Sequence, residues 1–479
     1  MNKNLINNEV YYDASQSQKS TFLRCLCSKE KSNNFNVSFS ISIEAVDYNA
    51  LRKSFDILIQ RHEIFRTTLL MIDGVIKQKI WSPHEYSEFK INIIDLKTSS
   101  NKKEALLKLE KDSNQTAFKA EQHPWLDVKL VQLEKNEHKL LISIPHMISD
   151  YESLPIIINE LQLIYKSLLA GEIIRPSNTF QYKDYIAEIN NILESKVGEK
   201  HYMYWQNILK EIPSSNLTSI YSIAKNNKYK SYKATILQEI DEYFGELPPQ
   251  IVSAFMGTLS YIIPSQGTTY YLSIDSRRLN ILKGVAKESN VLLSVLITST
   301  FHLLIYKLTG EKDTIIGINQ NLRDRGDLYK IIGFFINTIL FRDKKDDSLT
   351  LCEYFRNANR NYVEALQHKI YPFEKALYDS DISLNSLGTF FLNIVNDENV
   401  EGNEDGLESN HREEIVFPYF NIDCHIVINS NMVGIRCCYK TEIFAKNTIE
   451  HIFSNYFELI DNFEMSTVKK IEDISLAKK

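Results

Sequence analysis

The sequence lacks a run of apolar residues long enough to cross a lipid bilayer. Its longest charge-free run, NVLLSVLITSTFHLLIY at residues 290–306, is shorter than the roughly 20 residues of a spanning helix and includes Ser, Thr, Asn and His. We therefore predict a buried helix there. The N-terminus, MNKNLINNEVYYDASQ, lacks the apolar core of a secretory signal. These absences favour a cytoplasmic protein with no membrane partner.

Cysteine is scarce, and its spacing fits no zinc site. None of the six cysteines forms a C-x-x-C pair. They stand at positions 25, 27, 352, 424, 437 and 438. The simplest interpretation is a set of free thiols in a reducing compartment.

The motifs of several large enzyme classes are absent as well. There is no G-x-x-x-x-G-K-[ST] phosphate loop, no G-x-G-x-x-G after a strand and no G-x-S-x-G elbow. Kinase, dinucleotide-binding and hydrolase interpretations therefore have no motif to support them. No long basic stripe accompanies the net charge of −6, which argues against a nucleic-acid partner. The acidic segment 396–414 predicts a loop and not a metal site, because nothing fixes the geometry of its carboxylates.

Strand and helix patterns alternate along the chain and favour an α/β fold. Residues 37–43 (VSFSISI) alternate as a strand does, and Asp47 stands where it can cap the helix that follows. Residues 139–145 (KLLISIP) predict a buried strand, and the helix after them has Gly171 as its stop signal. The apolar face of the first helix is formed by Leu51, Phe55, Leu58 and Ile59.

The same order of elements returns in the second half of the chain, where a helix is predicted to end at Gly310. Between the halves, the composition changes to Tyr-, Lys- and Asn-rich turns. We therefore predict an N-terminal lobe at 1–175, a linker or crossover region at 176–230 and a C-terminal lobe at 231–479.

His146 is the histidine whose position favours chemistry. It follows the buried strand at the start of a loop, and side chains at strand ends point into clefts where sites form. Asp150 stands four residues later. Its carboxylate can orient the imidazole or raise its basicity, or it can pair with an arginine and fix the loop. The H-x-x-x-D spacing alone leaves both interpretations open.

Seven segments along the chain carry further information because they occur in a fixed order. They are ASQSQKSTF (14–22), RHEIFRTTL (61–69), PHMISDY (145–151), QYKDYIAEI (181–189), IGFFINTILFR (332–342), HKIYPFEKAL (368–377) and SDISLNSL (380–387). This series resembles the condensation domains of nonribosomal peptide synthetases, within the chloramphenicol acetyltransferase-like superfamily. The family motifs are S-x-x-Q, R-H-E-x-L-R-T, H-H-x-x-x-D-G, Y-x-D-Y-A, I-G-x-F-V-N-T-x-x-x-R, H-Q-D-Y-P-F-E and R-D-x-S-R-N-P-L, in that order.

The resemblance implies an α/β fold with two chloramphenicol acetyltransferase-like lobes, arranged as a V-shaped pseudo-dimer around a central tunnel. It implies amide bond formation, in which an acceptor amine attacks an acyl thioester. The implied partners are donor and acceptor carrier proteins or other synthetase domains, together with acyl and amine substrates. The carriers would bring phosphopantetheine arms, and no intrinsic cofactor or metal is implied.

The resemblance also assigns roles to residues. It implies that His146 is the catalytic histidine and that Asp150 is structural, paired with an arginine. The candidate arginines are Arg277, Arg278 and Arg323, which the sequence does not rank. Arg66, with its neighbours Arg61, His62 and Glu63, is interpreted as bracing the first lobe. The positions expected at the tunnel or substrate are Ser149, Tyr151, Asn337 and Thr338.

The signature departs from the family pattern at both ends. Pro145 replaces the first histidine and changes how the strand ends, since proline has no N–H and a fixed φ. Tyr151 replaces a glycine that allows close backbone approach. Three hypotheses follow: an amide- or ester-forming condensation enzyme; acyl transfer to a soluble amine or alcohol, or modification of a tethered residue; and a non-catalytic domain that recruits a partner or bridges carriers. Retention of His146 and Asp150 favours the first two.

Overall fold

The structure is a computed structural model that divides into two compact units, one of residues 1–197 with 321–336 and the other of residues 198–320 with 337–479. The described residues are 4–6, 9–27, 36–83, 85, 89–118, 123–172, 180–212, 266–380, 382, 390–396, 418, 420–463 and 469–476. A short segment of the second half of the chain, 321–336, thus belongs with the N-terminal unit. The lobe boundaries drawn from the sequence stay a prediction.

Among its described residues, the first unit contains two four-stranded sheets and five helices. One sheet has the strand order β1-β2-β5-β4 and the other the order β3-β8-β7-β6, in which β6 and β7 are parallel. The strands are β1 (Asn4–Ile6), β2 (Glu9–Asp13), β3 (Asn36–Glu44), β4 (Thr67–Ile72), β5 (Val75–Ile80), β6 (Asn92–Asp95), β7 (Asp127–Gln132) and β8 (Glu137–Pro145). The helices are α1 (Gln16–Cys27), α2 (Tyr48–Arg61), α3 (Lys102–Asn114), α4 (Ser153–Leu169) and α5 (Tyr182–Leu193).

The elements predicted from local patterns in this unit are confirmed. The Asp47 carboxylate accepts the Ala50 N–H at 2.9 Å and caps α2, whose predicted apolar face is buried. Strand β8 pairs with β3 on one side and β7 on the other, so both its edges are covered. After α4, Gly171 adopts a φ of +73°, the left-handed conformation that ends helices and suits glycine.

The second unit is built on a six-stranded mixed sheet with the order β11-β10-β12-β13-β14-β9. Strand β12 is parallel to β10 and β13, whereas β14 is antiparallel to β13 and β9. The strands are β9 (Gly267–Ile274), β10 (Asp313–Asn321), β11 (Ile336–Lys344), β12 (Phe390–Asn396), β13 (Ile422–Ile428) and β14 (Val433–Lys440). The helices are α6 (Lys196–Leu209), α7 (Ser276–Ser289), α8 (Leu293–Thr309), α9 (Leu351–Gln367), α10 (Phe373–Asp379) and α11 (Lys446–Phe463).

Helix α8 is the buried helix predicted from the long charge-free run. Every residue from Val295 to Ile305 is buried, and Gly310 follows the helix with a φ of +77°. In the described ranges, no single helix combines the length and apolar character needed to cross a membrane, and only the bent pair α7–α8 passes on length and composition together.

The region 176–230 contains more regular structure than its turn-rich composition suggests. Helices α5 and α6 both lie within it, while its flanking parts at 176–179 and 213–230 fall outside the described residues. Most of the acidic segment 396–414 and of the 380–387 motif also lies outside them.

Candidate active site

His146 is the first residue after strand β8, on the turn that leads into α4. Its Nδ1 lies 2.8 Å from the carbonyl oxygen of Ser149. Because a carbonyl oxygen only accepts hydrogen bonds, this contact requires a proton on Nδ1 and leaves the lone pair of a neutral imidazole on Nε2. The side chain is half-buried. The geometry therefore presents Nε2 as the basic atom.

The imidazole is also held by an aromatic neighbour. The ring of Phe334 lies with its centroid 4.7 Å from that of His146, at an interplanar angle of 50°. Within the described part of the chain, Nε2 makes no hydrogen bond. A backbone carbonyl and an aromatic ring thus orient the imidazole, and its second nitrogen is available to a substrate.

Asp150 pairs with an arginine and not with the imidazole. Its Oδ2 accepts from Arg323 Nη1 at 2.6 Å, and both side chains are fully buried. The other two candidate arginines, Arg277 and Arg278, bind Asp461 instead. The sequence left open whether Asp150 orients the imidazole or pairs with an arginine and fixes the loop. The structure shows the pairing with an arginine.

The Asp150 carboxylate has a full set of donors, as a buried charge requires. Oδ2 also accepts the Phe335 N–H at 2.8 Å. Oδ1 accepts the backbone N–H of Ser153 at 2.9 Å and its hydroxyl at 2.8 Å. One carboxylate therefore ties the first turn of α4 to the 321–336 segment.

Arg323 is held as completely as its partner. Its Nε donates to the Leu328 carbonyl at 3.2 Å, and its Nη2 donates to the Ile331 carbonyl at 3.1 Å. The guanidinium lies over the ring of Phe335, 4.1 Å from its centroid. These bonds fold residues 323–335 into a loop around the guanidinium, which suits the fixed planar donors of arginine.

The 333–335 backbone is clamped from the other side by Tyr182 of α5. The phenol donates to the Phe334 carbonyl at 2.6 Å, and burial raises the pKa of Tyr182. A Cβ at position 333 would stand 2.3 Å from the Tyr182 ring. Gly333 is therefore required by close packing, and its N–H bonds to the Ser153 hydroxyl at 3.2 Å.

Gln18 of helix α1 supports the loop that carries His146. Its Nε2 donates to the Met147 carbonyl at 3.2 Å, and its Oε1 accepts the Ser15 N–H at 3.0 Å. The side chain is fully buried. Gln18 is the last residue of the S-x-x-Q segment, and the spacing of that motif was the signal in the sequence that could have pointed to its role here.

The first-lobe arginine cluster lies on α2 and the turn that follows it. Arg66 is buried and donates to three backbone carbonyls, those of Ile59, Gln60 and Trp81. These three bonds go to nearby backbone, which suits a bracing role. The role of Arg66 at the site stays a prediction.

Glu160 of α4 joins α2 to α4 through the same cluster. It accepts from Arg61 at 3.3 Å and lies 3.1 Å from Nε2 of His62. Burial alone would raise the pKa of Glu160, but the contact with His62 and the charge of Arg61 hold it below its usual value. The contacts of Glu160 with Arg61 and His62 therefore hold α4 against the end of α2. Helix α4 begins close to His146.

Ser149 and Tyr151, both predicted at the substrate, differ in their exposure. The Ser149 side chain is buried and donates to the Pro145 carbonyl at 3.1 Å, so it closes the turn around His146. Tyr151 points to solvent with 58% of its surface exposed. The contribution of Ser149 that the structure shows is its backbone carbonyl, which orients the imidazole.

Asn337 and Thr338 lie in the second unit. The Asn337 amide donates to the carbonyls of Lys369 and Tyr371, each at 2.7 Å, and accepts the Phe373 N–H at 3.1 Å. Thr338 donates to Asn319 Oδ1 at 3.1 Å. The observed contacts of Asn337 brace the turn that begins α10, and the substrate role of either residue stays a prediction.

Comparison with known proteins gives a consistent family assignment. The model of the family described as "Condensation domain" matches residues 8–251 and 264–479. Bacitracin synthase 1 of Bacillus licheniformis is 26% identical over 458 residues, which is 94% of this chain and 8% of that protein. Gramicidin S synthase 2 of Brevibacillus brevis is 26% identical over 475 residues, 97% of this chain and 10% of that protein. The chain thus spans about a tenth of the length of these relatives.

Solved structures show the same fold at low sequence identity. The first condensation domain of the calcium-dependent antibiotic synthetase, bound to a substrate analogue, aligns with a TM-score of 0.69 at 11% identity over 98% of this chain and all of that one. The X-domain from teicoplanin biosynthesis aligns with a TM-score of 0.72 at 15% identity over 97% of both chains. The predicted fold class is confirmed.

Proposed function

The chain belongs to the condensation-domain family, and from this premise we propose that it forms an amide bond between a carrier-bound acyl thioester and an acceptor amine in nonribosomal peptide biosynthesis. The observation that carries the proposal is the hydrogen bond from His146 Nδ1 to the Ser149 carbonyl at 2.8 Å. It fixes the tautomer in which Nε2 is the base. The Asp150–Arg323 network supports this loop by holding the residues on either side of the imidazole.

The proposed reaction balances without an oxidant or an added nucleophile. The amine nitrogen attacks the thioester carbonyl carbon, and a C–N bond forms. The C–S bond then breaks and releases the donor thiol. His146 Nε2 hydrogen-bonds the attacking amine and accepts its proton, which goes to the departing sulfur. No covalent bond to the enzyme forms.

Two tethered substrates would supply much of the rate through proximity. Phosphopantetheine arms of a donor and an acceptor carrier protein would present the thioester and the amine to Nε2. The relatives are far longer synthases, which agrees with partners that are other domains of such an assembly. In the described ranges, no group of three or more His, Cys, Asp or Glu side chains could hold a metal ion.

The test is turnover of a panel of acyl-pantetheine donors and aminoacyl-pantetheine acceptors, with product detected by mass spectrometry. His146→Ala should lower kcat by about 10²–10⁴-fold, the usual contribution of a positioned base. His451→Ala, which removes an exposed imidazole from α11, is the matched control and should retain activity. Equal turnover by wild type and His146→Ala would remove His146 from the mechanism.

A second function, recruitment of a partner protein without catalysis, is favoured by the exposure of Tyr151. A 58% exposed aromatic ring at the end of the signature motif is a surface feature suited to protein contact. In this case wild type and His146→Ala would be equally inert, while Tyr151→Ala would weaken binding to carrier or synthetase domains. The turnover assay can also be run with free amines in place of pantetheine-bound acceptors. Product from the free amines would indicate acyl transfer to a soluble acceptor.

A further inference from the structure

Phe334 is the aromatic side chain in ring contact with the imidazole of His146. The two ring centroids are 4.7 Å apart, and the planes are inclined at 50°. Phe334 is half-buried, so part of the residue is accessible to solvent. The residue that follows it, Phe335, is fully buried under Arg323. The two adjacent phenylalanines therefore differ in their surroundings, since Phe335 lies in the core and Phe334 lies against the imidazole.

The backbone around Phe334 is fixed at three consecutive residues. The Gly333 N–H bonds to Ser153 at 3.2 Å, and the Phe334 carbonyl accepts from Tyr182 at 2.6 Å. The Phe335 N–H bonds to Asp150 at 2.8 Å. These bonds hold the backbone of Phe334 in place before a ligand binds, which preorganises the residue beside the imidazole. In the family motif I-G-x-F-V-N-T, this position is the one left open between the fixed glycine and phenylalanine.

We propose that Phe334 is a specificity-determining residue that selects an acceptor amine with an apolar substituent on its α-carbon. This inference rests on the proposed function, in which the amine nitrogen lies within hydrogen-bond reach of Nε2, about 3 Å. The α-carbon is one bond beyond that nitrogen, and a substituent on it reaches the neighbouring ring. An apolar group gains free energy by leaving water against the ring, whereas a charged group loses hydration there without a partner.

The acceptor side is favoured over the donor side by distance. The acceptor α-carbon is one bond from the amine nitrogen that contacts Nε2. The donor α-carbon is farther away, because the donor carbonyl carbon lies between it and that nitrogen. The substituent in contact with Phe334 is therefore that of the acceptor. Leucyl and phenylalanyl acceptors are the expected class, and glycyl and aspartyl acceptors are the disfavoured ones.

The experiment compares kcat/KM for leucyl- and glycyl-pantetheine thioesters as acceptors with one fixed acyl donor. Phe334→Ala should lower kcat/KM for the leucyl acceptor about tenfold, which corresponds to about 1.4 kcal/mol, and change the glycyl value by less than about twofold. Phe334→Leu should restore most of the leucyl preference. Tyr329→Ala, at a 51% exposed tyrosine of the same segment, is the control and should leave the ratio unchanged.

Two results would overturn the inference. An equal loss for both acceptors, carried by kcat, would show that Phe334 only orients His146. An unchanged leucyl-to-glycyl ratio in Phe334→Ala would show that the ring does not meet the acceptor.

If wild type makes no product, the proposed function fails, and binding of leucyl and glycyl pantetheine amides measured by calorimetry still decides the selectivity. Tighter leucyl binding that Phe334→Ala abolishes would uphold it, and equal binding would reject it.

Discussion

Asp150 and Arg323 are 173 residues apart in the chain, yet their carboxylate and guanidinium meet at 2.6 Å with neither side chain exposed. Removing one member of such a pair leaves a charge buried without its partner, which is costly even where the pair itself adds little net stability. We expect Asp150→Asn or Arg323→Met to lower the free energy of unfolding by about 3–5 kcal/mol. Urea denaturation followed by tryptophan fluorescence measures this loss.

The double variant tests whether the charge is the cause. Asp150→Asn combined with Arg323→Met leaves no unpaired charge, so its cost should be well below the sum of the single costs. The control is Lys102→Met, which breaks an exposed pair with Glu134 and should cost less than about 1 kcal/mol. Additive single costs in the double variant would contradict a coupled pair.

What the sequence predicted correctly depends on short-range rules. Asp47 caps α2 by accepting the N–H of Ala50 three residues later, and Gly310 ends α8 within one turn, so both effects are visible in a short window. The buried strand before His146 is likewise marked by its own apolar run. The family motifs implied that Asp150 pairs with an arginine, which the H-x-x-x-D spacing alone did not decide and which the contact with Arg323 bears out.

What it did not predict depends on contacts between distant segments. Three arginines were equal candidates for Asp150, because only the folded loop 321–336 brings one of them to it. The contacts of Gln18 with Met147 and of Phe334 with His146 are equally non-local. Helix α5 lies in the region 176–230, where the Tyr-, Lys- and Asn-rich composition suggested turns, and its Tyr182 and Tyr185 are buried. Composition does not distinguish exposed from buried aromatic residues.

Gln18 offers a test of how far loop position controls catalysis. Gln18→Met keeps the volume of the side chain but leaves the Met147 carbonyl without its donor, next to His146. We expect kcat to fall about tenfold with KM unchanged, because a small displacement of a catalytic group slows the chemical step more than it weakens binding. The measurement is kcat and KM by steady-state kinetics for wild type and Gln18→Met, each assayed at the same interval below its own melting temperature.

The control for that variant is Gln206→Met, which removes a 2.8 Å bond to Ser380 in the second unit and should leave kcat unaltered. A rise in KM at constant kcat would instead assign Gln18 to substrate binding. Unchanged kinetics together with a lowered melting temperature would leave it a purely structural residue.

Gly333→Ala should destabilise the first unit. The new methyl group would stand 2.3 Å from the Tyr182 ring, which is anchored by its own hydrogen bond to Phe334. Overpacking of this kind costs about 1–3 kcal/mol. Gly326→Ala in the same segment is the matched control, because its Cβ would meet no atom within 4 Å. Equal denaturation midpoints for the two variants would contradict close packing at Gly333.

His302 in α8 predicts a pH dependence of stability in the second unit. It is fully buried; its Nδ1 lies 2.7 Å from the Thr314 hydroxyl. Burial, assisted by the charge of Lys345 and opposed by that of Asp343, lowers the pKa of His302 to about 3. The unfolded chain takes up a proton at this histidine below about pH 6.5, and the folded chain does not until about pH 3. The stability that His302 contributes is therefore complete above pH 6.5 and falls between these values as the pH drops.

The slope is about 1.4 kcal/mol per pH unit for one such group, so roughly 2 kcal/mol is lost between pH 6.5 and pH 5. His302→Gln removes the titrating group and retains a donor for Thr314. Its free energy of unfolding should decline less than that of wild type over this interval, by about the same 2 kcal/mol. Other histidines with a lowered pKa, such as His425, contribute to both proteins alike, so the difference isolates His302. Parallel stability curves for wild type and His302→Gln from pH 7 to pH 5 would show that His302 accepts its proton in the folded state.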